Sequence, residues 1–270
     1  MAEGTITDEG IARLRERIGI PEPHPVPPHY FFPGLDAFRN VSIAYGDDNP
    51  LWCDPHYGDR TVWRGPIASP VLVGGDSLIG VDEVAEVSEH KDLMRGDPLR
   101  GVHAFYSASA REWWSPLRPD RRVSRRNALV GVLDKPSEFA GRAVHEWTAQ
   151  VFREVDGPIL SGQYRLMIRT ERTKARERKK YDAIEVKPYT DDEIERIEAQ
   201  CASEVRRGAE PRWWEDVEEG DLVGPMVKGP LTVTDMVCWH AGMGMGLYGI
   251  KPLRLGYHNR VRIPRFFQRD

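Results

Sequence analysis

Residues 101–169 constrain the fold most. Val102-His103-Ala104-Phe105-Tyr106, running on to Trp113-Trp114, is aromatic and β-prone, and Ser115-Pro116-Leu117-Arg118-Pro119-Asp120 reads as a turn. Arg122 to Asp134 and Gly141 to Glu154 alternate as half-buried strands do, with Ala143, His145, Trp147 and Ala149 set against Val144, Glu146, Thr148 and Gln150. Asp156-Gly157 is a strong hairpin signal, and Ile159 to Arg169 supplies a further strand. The first hundred residues read as helix-rich. Helices followed by a run of antiparallel strands predict an α+β fold.

In the helical part, Thr7 to Ile18 predicts an amphipathic helix with Thr7 as N-cap, with Ile11, Leu14 and Ile18 on one face and Gly19 as its stop. The proline-rich run from Pro21 to Pro28 predicts an extended strap that cannot join a central strand. Leu35 to Tyr45 predicts a second helix, ending at Gly46. It delivers Asp47 and Asn49 to an ordered loop, because Asn49-Pro50 and Asp54-Pro55 both start turns. Val71 to Val81 is apolar and small, with Gly74, Gly75 and Gly80.

Composition excludes several classes of function. The net charge of −4 gives no global basic field for nucleic acid or anionic lipid. Cys53, Cys201 and Cys238 are odd in number, far apart and without metal-binding spacing, which argues against a disulfide framework or a zinc site and suits a reducing cytosol. Neither an apolar signal core nor a run approaching a membrane span occurs, so the expected location is cytoplasmic.

Gly46-Asp47-Asp48-Asn49-Pro50-Leu51 resembles the signature of the MaoC-like hydratase family of hot dog-fold proteins, which include the R-specific enoyl-CoA hydratases. Thr61-Val62-Trp63-Arg64-Gly65-Pro66-Ile67-Ala68-Ser69-Pro70 resembles that family's entry to its central helix. The match is closest to the N-terminal, FAS1-like dehydratase type of domain, in which tryptophan often replaces the motif's histidine, as Trp52 does here. The resemblance implies a hot dog fold, an antiparallel sheet wrapped around a long central helix that begins near Val71. It implies three regions: a hot dog domain at 1–175, a charged linker and connecting helix at 176–210, and the start of a second, incomplete hot dog at 211–270.

The second module rests on Trp213 to Val223 as an opening strand and Leu231 to Gly242 as a first helix capped by Thr232 or Thr234. Between the modules, Thr190 to Arg207 predicts a helix stopped by Gly208. Against Ala44-Tyr45-Gly46-Asp47 the second module reads His240-Ala241-Gly242-Met243, with no Asp and no Asn-Pro, and too few residues remain for a whole hot dog. The basic run Arg169 to Lys180 reads as a solvated strand end or as a contact for coenzyme A phosphates.

Hydration of an enoyl thioester needs an activated water, a proton for the neighbouring carbon and a donor for the thioester oxygen. The resemblance places Asp47 at the catalytic Asp position, with Asn49 holding the loop or orienting water. Trp52, Pro66, Ile67, Ala68, Ser69 and Val71 fall at substrate-binding positions. Trp52 stands where a histidine should be, and an indole donates but neither accepts nor transfers a proton. Pro70 stands where a backbone N–H should serve the oxygen and has none. The expectation is a hydratase/dehydratase on a CoA thioester, without metal or redox cofactor, paired with another hot dog subunit, with no nucleic acid or membrane partner. Four alternatives stay open: a subunit whose partner completes the site, a self-sufficient hydro-lyase using His56, His103, His145 or His240, a thioesterase, and a non-catalytic acyl-binding module.

Overall fold

The computed structural model describes residues 4–22, 28–74, 90–138, 140–171, 187–208, 210–224, 226–243 and 254–262. Two compact units emerge: Met1–Lys179 with Val237–Asp270, and Lys180–Met236.

The first unit is α+β. Strands β1 (His103–Trp113), β2 (Val123–Ser137), β3 (Gly141–Glu154) and β4 (Ile159–Thr170) form one antiparallel sheet in the order β1-β4-β3-β2. The hairpin signal between β3 and β4 is a turn in which Asp156 takes a φ of 59° and the Gly157 N–H donates to the Glu154 carbonyl at 3.0 Å. Sheet order leaves β1 and β2 at the edges. The β2 edge is partly covered: Gly19 and Glu22 donate their N–H groups to Leu129 and Asn127, and Pro21 bridges Ala128. That is where a proline strap can sit, since an edge asks no N–H of Pro21. Pro23 to Pro27 lie outside the described residues.

Helix α1 (Asp8–Glu16) is capped as predicted, Thr7 Oγ1 accepting the Gly10 N–H at 3.0 Å. Ile11 and Leu14 are buried with Leu99, Val102, Leu129 and Val144. Ile18, expected on the same face, is exposed because the helix stops at Glu16, two residues before it. Helix α2 (Leu35–Ala44) buries Phe38 and Val41 against Ala68, Leu72, Val73, Leu117, Val123, Phe152 and Leu160. Of the stretch expected to begin the central helix, Leu72–Gly74 is a short 3-10 turn and residues 75–81 lie outside the described residues.

The alternation in β3 leaves open which set turns inward. In β3 the polar partners are the inward set: Thr148 and Gln150 are buried beside Val144 and Phe152, while Trp147 is exposed. Alternation alone does not say which face meets the interior.

In the second unit, helix α4 (Asp191–Ala202) opens with a reciprocal capping box between Thr190 and Glu193. It ends at Ala202 rather than Arg207, so Arg206 and Arg207 come after the helix instead of closing it. The strand expected from Trp213 is instead a 3-10 turn at Trp214–Asp216 and then irregular chain, with Trp213, Trp214, Leu222 and Val223 exposed. Helix α5 (Val233–Met243) is capped by Thr232, whose Oγ1 accepts the Asp235 N–H at 3.2 Å. From Val237 onward it belongs to the first unit, so the division falls inside this helix. A further helix of the first unit, α6, spans Arg254–Arg262.

Candidate active-site loop

The loop begins where α2 stops. Gly46 has a φ of 74°, the left-handed conformation that glycine adopts without steric cost. The Gly46 N–H donates to the Ile43 carbonyl at 2.9 Å and the Asp47 N–H to the Ser42 carbonyl at 2.9 Å. These two bonds form a Schellman cap, which satisfies the last carbonyls of α2 and fixes the direction in which Asp47 leaves it.

Asp47 then organises the rest of the loop. Its Oδ1 accepts the Asn49 N–H at 3.0 Å and its Oδ2 accepts the Trp52 indole N–H at 3.0 Å. Asn49 Oδ1 accepts the Leu51 N–H at 3.0 Å and so caps the single turn α3 (Pro50–Cys53), with Pro50 at the position where its missing N–H costs nothing. The Cys53 thiol lies 3.7 Å from the Asp47 carbonyl, and burial, then the Asp47 and Asp48 charges, push its pKa up. Asp47, Asn49 and Trp52 are thus drawn into one hydrogen-bonded knot, each half-buried.

The other expected positions lie on a separate segment. Ile67, Ala68 and Ser69 are buried, while Pro66 and Val71 are half-buried. Arg118 holds this segment, donating to the Trp63, Gly65 and Pro66 carbonyls at 2.5, 3.3 and 3.3 Å. The Ala68 N–H donates to the Leu117 carbonyl at 2.9 Å. Pro70 offers no N–H, and its carbonyl accepts the Trp113 indole at 2.9 Å. The two segments meet through apolar packing of α2 against Ala68, Leu72 and Val73.

Of the four candidate histidines, His56 is exposed beside Asp59, and His103 stacks edge-on against Phe105 on β1. His145 lies on β3, where burial and then Lys135 lower its pKa. His240 belongs to α5, which packs on α2. A Cβ built on Gly242 would overlap that of Ala44, Tyr30 donates to the Gly242 carbonyl at 3.2 Å, and Asn40 donates to the Tyr30 hydroxyl at 2.9 Å. His240 stacks on Trp239, which meets Tyr45 edge-on at 6.2 Å. Tyr45 caps α2, so His240 is the candidate linked by ring contacts to the start of the loop.

Sequence reading missed a polar group on the inner sheet face. Arg169 donates to Asp97 at 2.7 Å and to the Leu99 carbonyl at 2.6 Å, and lies 3.6 Å from Glu146. Asn127 donates to the Glu22 carboxylate. Burial raises the pKa of both Glu22 and Glu146 despite the arginines nearby. Buried atoms with no hydrogen-bond partner among the described residues include Asn127 Oδ1, Gln150 Nε2 and Arg165 Nε. Each such atom costs about 1–3 kcal/mol. The one sequence signal was the run of polar residues at alternate positions of β3.

Among the described residues no three His, Cys, Asp or Glu side chains converge to hold a metal ion. None of the described helices is long and apolar enough to cross a membrane.

No family model and no curated protein matches the chain. Solved structures do. The chain is similar to the ChsH1-ChsH2 complex from Mycobacterium tuberculosis, with 15% identity over 60% of this chain and 90% of that one and a TM-score of 0.44. It is similar to the HadBC (3R-hydroxyacyl-ACP dehydratase) complex from the same organism, with 16% identity over 56% and 96% and a TM-score of 0.39. A third likeness is to the R-hydratase PhaJ1 from Pseudomonas aeruginosa, with 15% identity over 58% and 84% and a TM-score of 0.35. Each likeness is one of fold alone.

Proposed function

We propose that this chain is a MaoC-like hot dog subunit of a hydratase/dehydratase acting on an enoyl-CoA or 3-hydroxyacyl-CoA thioester in the cytoplasm. Coenzyme A enters as part of the substrate, and the chemistry calls for no metal or redox cofactor. The observation that carries the reading is the signature loop, where Asp47, Asn49 and Trp52 are gathered at the capped end of α2.

The same observation favours a divided site. Both Asp47 oxygens already hold a donor, and one of these is the residue standing in the histidine position. Asn49 is occupied as a helix cap. In this reading Asp47 and Asn49 shape the loop, and a second hot dog subunit supplies the acid/base pair. The open edge of the sheet supports such a partner: β1 has β4 on one side only among the described residues, and every residue from Ala104 to Trp113 is exposed. The free thiols Cys53, Cys201 and Cys238 fit a reducing compartment.

The test is an absorbance assay for enoyl-thioester hydration, run on the chain alone and on the chain with any hot dog subunit that co-purifies. Turnover only in the assembly, unchanged by Asp47→Asn, is the expected result. Turnover by the chain alone that disappears in Asp47→Asn would return the catalytic role to Asp47. Release of free thiol without hydration would make the protein a thioesterase.

A further inference from the structure

The inner face of the sheet carries an apolar cluster toward each end and several polar side chains, among them Arg169 opposite Val144. At one end Phe152 and Leu160 pack with Phe38 and Val41, and at the other Val144 and Leu129 pack with Ile11 and Leu14. Between them a single transverse row holds Asn127 on β2, Gln150 on β3 and Gln163 on β4, paired residue to residue. These side chains are exposed by only 9%, 3% and 4%. Arg165 stands in the next row, opposite Thr148.

The ends of the row are engaged. Asn127 Nδ2 donates to Glu22 on the strap, and Gln163 Nε2 donates to the Tyr106 hydroxyl at 3.3 Å on the exposed edge strand. The middle is not: Asn127 Oδ1, Gln150 Nε2 and Arg165 Nε are buried with no hydrogen-bond partner among the described residues. Native interiors seldom leave such atoms unpaired. Asn127 and Gln150 are direct cross-strand neighbours, about 5 Å apart at Cβ, so one small group can reach the lone acceptor of the first and the lone donor of the second. One group answers both. A hydroxyl accepts from Gln150 or Arg165 and donates to Asn127.

Resting on the reading of the chain as an acyl-thioester protein, we infer that this row recognises a hydroxyl carried on the acyl chain, remote from the thioester. The protein then selects oxygenated acyl groups over plain alkyl ones. The route is short. Phe152 is two residues along β3 from Gln150, about 7 Å, and packs with the helix whose end carries Asp47.

Binding separates this inference from the reading beneath it. A homologous series of acyl-CoAs, each with and without a terminal hydroxyl, is titrated into the full chain together with any co-purifying subunit. The hydroxylated members are expected to bind about tenfold tighter at the best-fitting length. That preference is expected to vanish in Asn127→Leu/Gln150→Met and in the gentler Gln150→Met, and the melting temperature of Gln150→Met, which leaves the bond from Asn127 to Glu22 in place, is expected to be held or raised because its unpaired donor is gone. Equal affinity for both members of every pair overturns the inference and leaves the acyl-thioester reading standing. Loss of melting temperature in both variants assigns the row to internal water and also overturns it. Binding of no acyl-CoA at all overturns the reading itself.

Discussion

The indole N–H of Trp52 points at the Asp47 carboxylate from 3.0 Å, and the backbone N–H of Asn49 takes the other oxygen at 3.0 Å. Both oxygens of the carboxylate are thus held, one of them by a side chain that cannot take up a proton. Trp52→Phe keeps the ring and removes the donor, and a hydrogen bond to a charged group is worth about 1.5–3 kcal/mol. We expect a stability loss toward the lower end of that range, because the pair is only half-buried, measured by denaturant unfolding.

The seam between α5 and α2 has no room for a side chain at Gly242, whose Cβ would fall on that of Ala44. Gly242→Val should cost about 1–3 kcal/mol by overpacking. It should also raise the exposure of Trp239, which packs against the core beside Tyr45. A red shift in tryptophan emission together with the lost stability would show both.

Glu22 and Glu146 titrate above the ordinary carboxylate range because burial disfavours their charge. A raised carboxyl contributes stability that is full below its unfolded pKa and is lost as pH rises through its folded pKa. Glu22→Gln should therefore flatten the fall in melting temperature between mildly acidic and neutral pH. The readout is the difference between variant and wild type across that window, which cancels the other titrating groups.

Ala108 and Ala110 lie exposed on the open edge strand. Lysines on a sheet edge oppose pairing with a second sheet. Ala108→Lys/Ala110→Lys should shift the assembled protein toward its separate subunits in light scattering after gel filtration, while changing the stability of the chain by less than about 0.5 kcal/mol.

The strands were legible because their signals are local: aromatic and branched residues, alternation, and Asp156-Gly157 at the turn. The α1 and α4 caps were legible for the same reason, since Thr7 and Thr190 each bond within three residues. The features that escaped depend on distant partners. The inward face of β3 is polar because Arg169, Glu22 and Asn127 meet it from other elements, and no window along β3 contains them. Trp213 to Val223 has strand-like content but forms no strand, and propensity without a ladder does not make one. In the site, the Schellman turn at Gly46 was readable from the glycine. The bond from Trp52 to Asp47 was not, because it joins residues on either side of a sharp turn.

The bond from Tyr30 to Gly242 closes a circuit of 212 residues. During synthesis the surface of α2 that meets Met243 and Trp239 is made early, and the residues that cover it emerge late, at about 5–20 residues per second. For an interval on the order of ten seconds or more, the helix that carries the signature loop stands with its α5-facing side bare. The end of α2 from which the loop departs is covered only when α5 docks, and it is bared again whenever α5 lets go.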